Sequence, residues 1–222
     1  MKIKNRLIAA TFLAGTATLT SPVVLAEDAG WYAGGSLGSA RTDSGITAAQ
    51  LDADLAALTP SITARSTLSE NDIGYKLFVG YQFNKNLAVE GGYVDLGKPI
   101  ELNSVVTAPS AGTLKGTIKN NGLNLDVLGI LPINDAFSAF AKVGLYYSKT
   151  TFDISATGGG GTAAGSWSKS EINPKFGLGA NYAFTKNVGV RAEWERYKNL
   201  GDADTTGEGD VDLWSIGATF KF

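Results

Sequence analysis

The 222-residue chain contains no cysteine and no histidine. The first absence excludes disulfide staples, thiol nucleophiles and cysteine metal sites. The second removes the side chain that ordinarily moves protons near neutral pH. Acid–base catalysis would then need a carboxylate or lysine with a strongly shifted pKa, and no spacing in the chain suggests one. Basic surplus is missing too. Three of the 19 Lys and Arg residues, Lys2, Lys4 and Arg6, sit at the extreme N-terminus. Without them 16 basic residues face 21 acidic ones, a net charge of −5. Such a chain has little to exchange for the counterions of nucleic acid, which excludes that class as a bulk partner. Beyond the N-terminal segment no run of eighteen apolar residues occurs, so no transmembrane helix is available there.

What is present begins with an export signal. Lys2, Lys4 and Arg6 precede a short apolar stretch from Leu7 to Ala17, and Val24-Leu25-Ala26 supplies small residues for a signal peptidase. The expected cut follows Ala26, making 1–26 a signal peptide and 27–222 one domain of 196 residues. An uncleaved anchor helix is the competing reading. The stretch is too short and too rich in Thr and Ser to cross ~30 Å of hydrocarbon. Export leads to a compartment that permits disulfides, so the fold must hold without them.

The domain alternates with period two in eight segments: 31–41, 72–83, 87–96, 116–131, 137–152, 166–184, 188–200 and 211–222. Asn84-Lys85-Asn86, Asn134-Asp135 and Thr185-Lys186-Asn187 read as tight turns. Links 42–71, 97–115, 153–165 and 201–210 are long and rich in Gly, Thr and Asp. Long and short connections alternate, which predicts an all-β fold: an eight-stranded antiparallel up-and-down barrel with both termini at the short-turn end. Closure removes the exposed edges.

The facing decides the solvent. In the last segment Trp214, Ile216, Ala218, Phe220 and Phe222 alternate with Ser215, Gly217, Thr219 and Lys221. In the seventh, Val188, Val190, Ala192 and Trp194 alternate with Gly189, Arg191, Glu193 and Glu195. A soluble barrel would turn the apolar set inward and leave the charged set in water. Here the apolar set runs from strand to strand and ends in aromatics. Tyr81, Phe83, Phe137, Tyr182, Phe184, Phe220 and Phe222 fall beside the short turns, and Tyr93, Tyr147, Trp194 and Trp214 toward the other end. These are the expected interfacial girdles of a transmembrane β-barrel.

Several stretches carry a family resemblance. Trp31-Tyr32-Ala33-Gly34-Gly35, Gly80-Tyr81-Gln82-Phe83-Asn84 and Val89-Glu90-Gly91-Gly92-Tyr93 resemble the opening strands of the OmpA transmembrane domain. Pro174 to Thr185 is similar to that family's sixth strand, Arg191-Ala192-Glu193-Trp194 to its seventh, and Phe220-Lys221-Phe222 to its eighth. The resemblance implies an outer-membrane protein of a Gram-negative bacterium. Lipid and lipopolysaccharide would surround it, the barrel-assembly machinery would read Phe220 and Phe222, and its external loops would meet an extracellular ligand. A monomer without cofactors is expected. The family's peptidoglycan-binding domain has no counterpart before Phe222, so a cell-wall tether is not expected from this sequence. Outer-membrane barrels that act as lipid A deacylases, palmitoyltransferases, phospholipases or proteases use a histidine base, so an enzyme is not expected.

Extending the alternation places Lys76, Glu90, Asp126, Lys142, Lys175, Arg191, Glu193 and Glu195 on the inner face. Eight strands enclose little more than side chains, so these four positive and four negative groups must pair. The expectation is an ion-pair network that closes the barrel; a small porin-like pore is the alternative. The resemblance matches Glu90 and Arg191 to a lumenal gating pair. The gate's alternative partners are Leu128 and Asn181 here, so the switch does not carry over.

Two links carry weaker signals. Asp202 and Asp204, followed by Gly207, begin like a calcium loop, but Leu213 stands where the closing Glu belongs, and a solvated acidic tip reads as well. In 47–58, Leu51, Leu55 and Leu58 recur at helical spacing and predict a short helix on the barrel mouth. Gly158–Gly161 predicts a mobile third loop.

Overall fold

A computed structural model describes residues 29–42, 47–58, 63–108, 110–201 and 208–222. The expected signal peptide and the Asp202 and Asp204 tip lie outside the described residues.

The described chain forms ten strands and one helix: β1 (Gly30–Thr42), α1 (Ala48–Leu58), β2 (Thr63–Ser69), β3 (Asn71–Asn84), β4 (Leu87–Asp95), β5 (Ile100–Ala108), β6 (Gly112–Pro132), β7 (Phe137–Gly158), β8 (Gly161–Ala183), β9 (Val188–Leu200) and β10 (Gly209–Lys221). Antiparallel pairing runs β1–β3–β4–β6–β7–β8–β9–β10, and β10 pairs back onto β1. These eight strands correspond to the eight alternating segments and close a ring. β2 and β5 stand outside it, in the order β2-β5-β6.

The strand count is therefore ten, and two of the supposed loops hold strands. Thr63-Ala64-Arg65-Ser66-Thr67-Leu68-Ser69 has one fully polar face and only Ala64 and Leu68 as apolar residues on the other, too weak a pattern to mark a strand without its partner β5. The third loop is a regular hairpin as well. Gly158 pairs with Gly161 across a two-residue turn in which Gly159 and Gly160 both have positive φ, 58° and 83°. That is the hairpin geometry whose twist suits the flanking strands. β2, β5 and the outer parts of β6, β7 and β8 thus continue as a five-stranded wall at the long-loop end.

The short turns are held by their own side chains. Asn84 Oδ1 accepts from Asn86 N at 2.8 Å, and Asn134 Oδ1 accepts from Ala136 N and Phe137 N at 3.0 and 2.8 Å. Thr185 Oγ1 accepts from Asn187 N and Val188 N at 3.2 and 3.0 Å. The helix expected over 47–58 is present. Its capping box is reciprocal: Gln50 N donates to Thr47 Oγ1 at 3.2 Å and Thr47 N to Gln50 Oε1 at 2.8 Å.

Outside the ring the surface is apolar. Leu37, Leu77, Leu125, Val143, Leu178 and Ile216 are all exposed. At the short-turn end Tyr81–Phe83, Tyr182–Phe184 and Phe220–Phe222 form edge-to-face pairs at 5.1, 5.1 and 5.3 Å, and Trp31 joins Tyr81 at 5.2 Å. Toward the other end Tyr75 meets Tyr93 and Trp194 meets Trp214, both at 6.1 Å. A band of exposed aliphatics between two aromatic belts suits hydrocarbon flanked by headgroups.

Candidate functional site in the barrel lumen

The inward-facing residues stack in three storeys. Nearest the short turns Tyr32, Phe78, Ala88, Leu128 and Phe140 form a buried apolar plug, with Ile130 packed against it. At the long-loop end Ala40, Val94, Leu96, Tyr146, Tyr197, Leu200, Val211 and Leu213 form another. Between them lie Lys76, Glu90, Asp126, Lys142, Lys175, Arg191, Glu193 and Glu195, all buried. The alternation that faced them inward thus brings all eight into one belt.

The belt pairs throughout. Lys76 contacts Glu193 and reaches Glu195 at 2.8 Å. Lys142 lies 2.5 Å from Glu193, 2.8 Å from Glu195 and 3.9 Å from Glu90. Lys175 donates to Asp126 at 2.9 Å and to Glu195 at 2.6 Å. Arg191 donates to Glu90 at 2.5 Å, although β4 and β9 sit across the ring from one another. Four cations and four anions sum to zero. Each ion withdrawn from water costs several kcal/mol unless close partners offset it, so balance and contact are both required.

Aromatic faces close the belt from below and above. The Arg191 guanidinium lies 4.7 Å from the Phe78 ring centre and 4.8 Å from that of Phe140. Lys175 Nζ lies 4.9 Å from the Tyr197 ring centre. These contacts partly replace lost hydration. Room is left by a glycine: an added Cβ at Gly144 would stand 2.1 Å from Asp126 Oδ1 and 2.3 Å from Leu125 O. Gly144 stands between Asp126 and Lys175 in the register, so the carboxylate reaches Lys175 through space that a side chain there would fill.

Residues 26–222 match the model of the OmpA-like transmembrane domain. The chain belongs to that family. It is 28% identical over 222 residues to outer membrane protein A of Yersinia pseudotuberculosis, and equally to that of Salmonella typhi. Each match covers 99% of this chain and 55% of the relative, so the chain spans about half the length of these relatives. Neisserial surface protein A is similar in fold, with a TM-score of 0.50 at 15% identity, covering 86% of this chain and 97% of that one. This OmpA-like barrel is accordingly an outer-membrane protein, with its apolar band against lipid.

Within the OmpA-like barrel, the alternation settled facing but not height or partnership. Arg191 takes Glu90, whereas Glu193 sits on Lys76 and Lys142, and Asp126 on Lys175. Glu195 is the hub, in contact with three lysines. Leu128 is part of the lower plug, and Asn181 accepts from Thr219 Oγ1 at 3.3 Å near the short-turn mouth. Sequence reasoning that counted only charges missed the uncharged members. Tyr32 Oη donates to Glu90 Oε1 at 2.8 Å, Asn124 Nδ2 to Asp126 Oδ2 at 2.5 Å, and Tyr146 Oη to Asn120 Oδ1 at 3.0 Å. All share the inward parity, which was the available signal. Below the belt a cavity of about 140 Å³ opens among the short turns and ends against Tyr32, Phe140 and Arg191.

Proposed function

We propose that this OmpA-like barrel is a structural, surface-exposed scaffold with a closed lumen, whose recognition function resides in its external wall and loops. The observation that carries the reading is the storeyed lumen, in which a neutral ion belt lies between two apolar plugs. Although the short-turn cavity reaches Arg191, ions passing through such an interior would have to break buried pairs and cross the upper apolar plug, which disfavours a porin-like pore. Purified protein in a planar bilayer should give no steady conductance above the lipid background. Steady open-channel current would favour the pore instead.

The same reading assigns the chain a signal peptide ending at Ala26, a monomeric state, and lipid and lipopolysaccharide as its surroundings. It includes no catalytic role and no cofactor. Asp202 and Asp204 are read as a solvated tip. Phe220 and Phe222 are proposed as the signal for the assembly machinery. In support, Phe222 is 74% exposed and lies edge-to-face with Phe220, while its backbone N is already fixed to Trp31 O at 3.0 Å. Deleting Phe222 should therefore slow insertion in cells, with protein accumulating in the periplasm for proteases. Pulse-chase fractionation measures this; unchanged surface levels at ordinary expression would oppose the assignment.

A further inference from the structure

Above the upper plug the external wall encloses a second hollow, of about 330 Å³. Its position follows from the register. Leu68 pairs with Leu102, Leu102 with Gly116, and Gly116 with Ile154, so one cross-strand row runs over β2, β5, β6 and β7. The neighbouring row is Ile100, Ile118 and Phe152. Both rows turn the same face toward the mouth, and Leu51 of α1 closes over them. Gly116 is the gap: a Cβ there would meet Leu102 and Phe152 no closer than 3.7 Å, which is ordinary contact distance. A missing side chain in a leucine and isoleucine row leaves a void that packing would otherwise fill.

We propose that this pocket is a binding site for a single alkyl chain bearing an uncharged head. Its size falls at the lower end of small-ligand cavities. The polar groups at its floor are already paired, because Asn120 Nδ2 donates to Thr150 Oγ1 at 2.7 Å and Asn120 Oδ1 accepts from Tyr146 Oη at 3.0 Å. They leave the apolar walls to select the ligand. Among the described lining residues the charged one is Glu208, which opposes a carboxylate or phosphate head. The pocket is blind, since Leu200 and Val211 of the upper plug form its base. In that respect alone the proposal rests on the closed-lumen reading.

Trp167 gives the test its readout, because its indole stacks on Phe152 at 5.9 Å, well away from the girdle tryptophans. A background of Trp31→Phe, Trp194→Phe and Trp214→Phe leaves it as the sole tryptophan. Terminally brominated decanol, titrated against this protein in lipid nanodiscs, should quench Trp167 saturably. Probe dissolved in the bilayer would stay below the wall. Gly116→Leu fills the gap and should weaken binding by about tenfold or more, given the buried methylenes the probe loses. Gly116→Ala, which adds one methyl, should fall between. Far-UV circular dichroism confirms that each variant is folded, and Gly116→Ala carries the comparison if Gly116→Leu is not. Non-saturating quenching, or equal affinity in the folded variants and the parent, would overturn the site. Conductance would not bear on it, so failure here and failure of the scaffold reading are distinguishable.

Discussion

Arg191→Ala is expected to destabilise the barrel by about 3–5 kcal/mol, and by more than the double variant Glu90→Gln, Arg191→Gln. Removing the guanidinium alone leaves Glu90 buried with Tyr32 Oη at 2.8 Å and Lys142 at 3.9 Å as its remaining partners. The belt then carries three cations against four anions. Neutralising both members leaves three of each, and the amides still offer hydrogen bonds to Tyr32. The double variant keeps a smaller cost, because the guanidinium also rests on the rings of Phe78 and Phe140. Urea unfolding in lipid vesicles, with the single variants Glu90→Gln and Arg191→Gln completing a double-mutant cycle, measures the coupling. Additive effects would mean that the two residues act independently, as they would if water separated them.

The second large effect lies on the outer face of the ring. Ile216 is 63% exposed between its cross-strand neighbours Leu37 and Ala192. It stands on β10 between Trp214 and Phe220, so hydrocarbon surrounds it. Ile216→Arg should therefore cost about 2–4 kcal/mol, the range for a cation at the bilayer midplane. Thr219→Ser, three residues on, should be mild, since the inward hydroxyl that meets Asn181 is kept. Reversible folding into vesicles compares the two. Equal tolerance would mean that the faces had been assigned the wrong way round.

Both expectations rest on parity, and parity was legible because the membrane enforces it. A strand between lipid and a tight lumen must alternate, so Ser215, Ile216, Gly217 and Ala218 declare their sides without help from a partner. Once a strand rises clear of the lipid, that pressure stops. β2 and the outer parts of β6, β7 and β8 no longer have lipid on one face, their inward apolar residues are few, and their Thr, Ser and Gly content resembles that of loops. Pairing over long sequence separations makes them strands, as Ser66 Oγ at 2.7 Å from Ser104 Oγ illustrates. The gap at Gly116 was hidden for the same reason: it exists only once Leu102 and Ile154 are set beside it. Inside the ring, charge identity was readable and ion pairing was not. Height depends on strand stagger, and reach on rotamers, which is why Glu195 emerges as the hub only in three dimensions.

The closed lumen is tested most directly by water-borne access to the belt. The chain has no cysteine, so single introduced thiols report on a silent background. Ser215 is buried in the belt storey opposite Glu193, whereas Ser138 lines the cavity beneath the lower plug. In vesicles, Ser138→Cys should react with a charged, membrane-impermeant thiosulfonate applied from the short-turn side. Ser215→Cys should resist that reagent from either side until the barrel is unfolded, and then react fully. Rapid labelling of Ser215→Cys in the folded barrel would mean a continuous aqueous path, and would contradict the account.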